Sequence, residues 1–146
     1  MSKVTVDTRE LDKFAVLIEK YPAKATNNVR DAVRTSTLNV ESNAKQNLTN
    51  NKSVDTGLLR NSINSKISTF EGIVSTNTKY ARIVEEGSRP HVIRPKKKKA
   101  LYWAGASHPV RQVNHPGSKP KPYMIPAFEK EVPNFLKNME KAVDLD

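Results

Sequence analysis

Hydrophobic positions along the chain fall into blocks with two different periods, one helical and one alternating. Val4 and Val6 alternate with polar residues and read as a short extended lead-in. Asp7-Thr8-Arg9-Glu10 has the spacing of a capping box, with the Asp7 carboxylate accepting the Glu10 amide and Glu10 reaching back. Leu11, Phe14, Ala15 and Ile18 follow at helical spacing, and Pro22 predicts an end at about Tyr21. Pro22 suits the first turn of a second helix. Ala25, Val29, Ala32, Val33, Val40, Ala44 and Leu48 mark a single stripe along it. That stripe is thin and rich in small residues, so a neighbouring element can approach closely. The Asn-rich run Asn47 to Ser53 reads as its fraying end and a loop.

The period then shortens. Asp55-Thr56-Gly57-Leu58-Leu59-Arg60 reads as a capped single turn, with Asp55 and Gly57 as its structural residues. Ile63, Ser65, Ile67 and Thr69 alternate as a strand, Glu71-Gly72 supplies a two-residue turn, and Ile73 to Thr76 returns. Thr78 is placed to cap a short helix carrying Tyr80, Ile83 and Val84, with Gly87 at its stop. His91 to Arg94, Ala100 to Trp103 and Val110 to Asn114 read as strands between prolines. Pro126 opens a last helix with Phe128, Val132, Phe135, Leu136, Met139 and Val143 on one face, and Pro133 predicts a kink or a late start. The expectation is an α+β fold: long N-terminal helices and a C-terminal helix packed on a small antiparallel sheet, with a long basic hairpin arm.

Charge changes this picture at one place. Gly87 to Phe128 holds nine Lys or Arg and no Asp or Glu, in a chain whose net charge is +10. The same window has seven of the nine prolines, the three histidines and the single tryptophan. Long loops in compact domains are usually functional or disordered, and unrelieved positive charge favours an anionic partner. At 146 residues the chain fits one domain, 1–146, with the basic Pro-rich arm at about 87–125. A mean hydropathy of -0.64 implies a lean core that leans on other subunits for burial. The chain has no cysteine, which excludes disulfides and thiolate metal sites. Met1 to Glu10 is polar and lacks the apolar run of a signal peptide. No stretch approaches the roughly 20 apolar residues of a membrane span.

Catalytic readings fare poorly. Asp55-Thr56-Gly57 matches the triplet of aspartic proteases, but that chemistry needs two facing carboxylates and the chain carries one copy. A cap followed by glycine explains it fully. His91, His108 and His115 match no metal-ligand spacing, and the window offers no carboxylate to orient them. Neither a nucleophile elbow nor a Gly-rich phosphate loop is present, so no cofactor or catalytic residue is expected. Lys96, Lys97, Lys98 and Lys99 beside Tyr102 and Trp103 could grip nucleic acid, or equally line a protein-facing arm. Glu85 and Glu86 sit where a helix end prefers cations. They are expected to form an acidic counter-patch, compensated by Arg89 or by a neighbour's lysine arm.

Three ordered blocks carry a resemblance: Asp55-Thr56-Gly57-Leu58-Leu59-Arg60-Asn61-Ser62-Ile63, Tyr80-Ala81-Arg82-Ile83-Val84-Glu85-Glu86-Gly87 and Pro120-Lys121-Pro122-Tyr123-Met124-Ile125-Pro126-Ala127. The set resembles the neck, or tail-component, family of tailed double-stranded DNA bacteriophages. That resemblance implies a non-catalytic virion protein of the head–tail junction, made in the host cytoplasm. It also implies an oligomeric ring, six-fold or twelve-fold, that meets head-completion or connector and tail-terminator proteins. The lysine-rich hairpin from Arg94 to Asn114 departs from the family pattern. The arm contacts expected with sister subunits, connector or packaged DNA run through Arg89, Arg94, Lys96 to Lys99, Tyr102, Trp103, Arg111, Lys119, Lys121 and Tyr123. A free nucleic-acid-binding module using that arm is the alternative.

Overall fold

In the computed structural model, residues 23–53 and 56–143 are described. The capping box at Asp7, the first predicted helix and Asp55 lie outside them. Helix α1 spans Ala23–Asn50 and buries every member of the predicted stripe, together with Ser36 and Thr37. Helix α4 spans Met124–Val143 and packs along it. The two run antiparallel: Asn39 donates to Glu131, Lys130 donates to Asn43, and Asn47 donates to the Tyr123 carbonyl. Helix α4 passes through Pro133 as one continuous element instead of starting late.

Between these helices the chain forms α2 (Leu58–Ser62), strands β1 (Asn64–Ile67) and β2 (Gly72–Ser75), and α3 (Ala81–Glu86). Strands β1 and β2 pair antiparallel, from Asn64 opposite Ser75 to Ile67 opposite Gly72. The turn between them is not Glu71-Gly72. Ser68 donates to the Glu71 carbonyl at 2.8 Å, so Ser68 to Glu71 make the connection and Gly72 opens β2. Glycine is needed there for close approach: an added Cβ would sit 1.7 Å from Thr37 Oγ1 of α1. The small-residue helix and the glycine let sheet and helix meet at that crossing.

The core divides into two clusters along α1. Val40, Ala44 and Leu48 pack with Leu59, Ile63, Val74, Ala81, Tyr123, Met124 and Ala127, flanked by Val84. Toward the other end, Val29, Ala32 and Val33 meet Met139 and Ala142, flanked by Phe70, Phe135 and Val143. Thr78 does not cap α3 with its side chain. Its hydroxyl bonds Ser62 at 2.6 Å, which also bonds Thr76 at 2.6 Å, while the Thr78 carbonyl accepts the Ala81 amide. The structure is therefore α+β, with two small antiparallel sheets where one was expected.

Candidate interaction site: a basic ribbon on a clamped base

The second sheet is built from the basic window. Strand β3 (His91–Ile93) pairs antiparallel with β4 (Val113–His115), placing His91 opposite His115 and Ile93 opposite Val113. The predicted strands Ala100 to Trp103 and Val110 to Asn114 shrink to a single bridge at Leu101 and Val110, plus β4. Proline and consecutive lysines between these points interrupt the ladder. A turn in which Ala106 donates to the Trp103 carbonyl closes the far end. Between Gly87 and Pro122 no residue is buried. Lys96 to Lys99 are exposed in the middle of the ribbon, and Tyr102 and Trp103 are 69% and 50% exposed near its tip. Arg94 reaches Gln112 across the ribbon at 3.4 Å, and Arg111 is exposed beside it. Arg89, Lys119 and Lys121 ring the base, also exposed. The ion pairs found among the described residues, Lys45–Glu41 and Arg82–Glu86, involve none of these cations.

At the base the two legs close tightly. Ser88 and Ser118 exchange both backbone hydrogen bonds, at 3.0 and 3.1 Å, and their hydroxyls lie 3.0 Å apart. Gly87 and Gly117 have φ of 76° and 87°, and a Cβ on either would meet the opposite leg's carbonyl at 2.5 or 2.3 Å. Only glycine satisfies both demands. Lys121 donates its amide to the Val84 carbonyl, so the returning leg is tied to the end of α3.

The strongest anchor is Glu85. It is 5% exposed, and its carboxylate accepts the amides of Tyr123, Met124 and Ile125 at 2.8, 2.9 and 3.0 Å. A helix start leaves four amides without intrahelical partners. Glu85 takes three of those in α4, and the fourth position is Pro126, which has no N–H. The negative charge also faces the positive end of the α4 dipole. Asn47 and Asn51 complete the clamp by donating to the Tyr123 and Pro122 carbonyls at 3.0 and 2.9 Å.

This geometry corrects three sequence expectations. Glu85 is not part of an exposed acidic patch, because α4 backbone amides compensate it, and Glu86 is paired within α3 by Arg82 at 2.8 Å. Tyr123 is not an arm contact. It is fully buried, and its phenol is pushed up to about 12 by burial first, then by the nearby Glu85 and Tyr80. The Asn-rich end of α1 is a clamp and not a frayed terminus. One signal was available for Glu85. Lys121-Pro122-Tyr123 offers no Ser, Thr, Asp or Asn to cap the following helix, so a cap had to come from elsewhere in the chain.

His91 and His115 stack with ring centroids 5.0 Å apart. His91 Nδ1 donates to the Arg89 carbonyl, whereas His115 Nδ1 accepts the Gly117 amide. A neutral His115 therefore carries its proton on Nε2. Among the described residues no group of three His, Cys, Asp or Glu gathers into a metal site. At the single-turn helix Gly57 takes a φ of 77°, and the Thr56 hydroxyl accepts the Leu58 amide at 3.4 Å. The shallow cavity beside it, about 390 Å³, is lined by Ser53, Leu58, Arg60 and Tyr80 among others. No helix among the described residues is long and apolar enough to cross a membrane.

No curated protein and no solved structure matches the chain. A family model described as "Bacteriophage HK97-gp10, putative tail-component" matches residues 12–87, ending where the basic ribbon begins. That is more than half of the sequence, and the chain belongs to this HK97-gp10-like family.

Proposed function

We propose that this protein is a structural subunit of the phage head–tail junction, assembling as a ring that joins the DNA-filled head to the tail. Membership of a tail-component family supports a structural role in the virion. The observation that carries the finer reading is the ribbon. It has no buried residue from Gly87 to Pro122, although it contains Val92, Ile93, Tyr102 and Trp103. A two-stranded hairpin alone in water is marginally stable at best. Holding one out on a tightly bonded base makes physical sense when another surface completes it. The cations of the ribbon meet no carboxylate within the segment, so that surface is anionic. Sister copies in a six-fold or twelve-fold ring, a head-completion or connector protein and a tail terminator are the partners of this reading, and no catalytic step enters it.

Sedimentation velocity of the purified protein, alone and mixed with the junction proteins of the same phage, tests the proposal. Ring-sized species or mixed complexes are expected. A chain that stays monomeric and joins neither partner sinks it. Steeply salt-dependent duplex binding by that monomer would then favour the nucleic-acid module.

A further inference from the structure

Among the described residues, helix α4 leaves a second apolar surface uncovered. Ile125, Phe128 and Leu136 are 52%, 37% and 51% exposed, with half-buried Val132 between them. Their helical spacing places them on one line, roughly 16 Å long at the usual rise per residue. The buried side of α4, through Met124, Ala127 and Glu131, faces elsewhere. Glu129 and Glu140 are exposed along one flank of this line. Pro133 lies on the same flank and has no N–H, so the Glu129 carbonyl lacks its usual intrahelical donor. The face is apolar along its middle, with two carboxylates and an acceptor carbonyl along one edge and the exposed Lys137 bordering them.

The basic ribbon has the opposite character: exposed aromatic and aliphatic side chains among cations, with no acidic residue. Its strands β3 and β4 pack on each other and form no layer on their own α4. Resting on the ring reading above, we infer that the exposed α4 face is the docking site for the basic ribbon of a neighbouring copy. Tyr102 and Trp103 cover the apolar line, and the lysines from Lys96 to Lys99 face Glu129 and Glu140. Two different surfaces meet in this contact, the heterologous geometry that closes into a ring when the rotation per subunit allows it. Both surfaces lie beyond the matched residues 12–87, so the contact belongs to the part of the chain that the family description leaves open.

Photocrosslinking of the full chain tests this directly. Protein carrying p-benzoylphenylalanine at position 103 is mixed with isotopically labelled protein, irradiated and mapped by mass spectrometry. Adducts between differently labelled copies, within residues 125–140, are expected. In parallel, Glu129→Lys with Glu140→Lys weakens association about tenfold or more, and adding Lys97→Glu with Lys98→Glu restores it. All four positions are exposed, and circular dichroism verifies that the variants fold. Adducts elsewhere on the neighbour or on a junction protein, or charge reversal without effect on an intact oligomer, overturn the docking while the ring reading stands. Monomer under every condition overturns both.

Discussion

Replacing Glu85 by alanine removes the acceptor of three amides at the start of α4. A hydrogen bond to a charged group contributes about 1.5–3 kcal/mol, but water entering the truncated site recovers part of that. Loss of a helix cap alone costs about 1 kcal/mol, and the lost charge at the positive end of the dipole adds a similar amount. Weighing these, we expect Glu85→Ala to destabilise the fold by about 3 kcal/mol. For a chain of this length that lowers the thermal midpoint by about 10 °C. Glu85→Gln keeps one oxygen acceptor and turns an NH2 group toward the remaining donors, so it loses about half as much. Thermal unfolding followed by circular dichroism measures the shift. Hydrogen exchange locates it, with protection lost first at Tyr123, Met124 and Ile125 and at the Ser88–Ser118 bridge. A midpoint within about 2 °C of wild type, with those amides still protected, would refute the reasoning, because the cap would then contribute nothing.

Gly72→Ala forces a methyl against Thr37 and is expected to cost about 1–3 kcal/mol, with Thr37→Ala recovering part of it in the double variant; denaturant titration measures both. Tyr123→Ala opens a cavity in the first core cluster and costs about 3–5 kcal/mol, whereas Tyr123→Phe, whose lost hydroxyl has no partner among the described residues, changes stability by less than about 1 kcal/mol at neutral pH. Because the folded phenol is raised to about 12, the native state holds its proton after the unfolded chain has released it near pH 10. The stability this contributes is fully present below pH 10 and is lost as pH rises toward 12, so alkaline denaturation should be shallower in Tyr123→Phe. Converting Lys96 to Lys99 together to glutamine leaves the thermal midpoint within about 2 °C, since these side chains bury nothing, but reduces the oligomer seen by sedimentation.

The sequence by itself determined which faces are apolar. The α1 stripe from Ala25 to Leu48 was readable in full, because helical geometry maps spacing directly onto a face. The alternation at Ile63 to Ile67, the C-terminal helix, the concentration of positive charge and the family were readable for equally local reasons. Only the tertiary structure decided what the polar groups do. Glu85 and the amides it receives are 38 to 40 residues apart, and no local period records that pairing. Gly72 looked like a turn residue because turns are the commonest use of glycine, while its actual constraint is set by Thr37 on another element. Tyr123 sits in a basic, proline-rich segment that reads as exposed arm, yet the antiparallel meeting of α1 and α4 encloses it. On α4 the apolar arc is wider than one neighbouring helix can cover. The fold chose Met124, Ala127 and Met139 for the inside and left Ile125, Phe128 and Leu136 facing out. Spacing ranks side chains by face, but burial also depends on what arrives to cover them, and that is a property of the assembled elements.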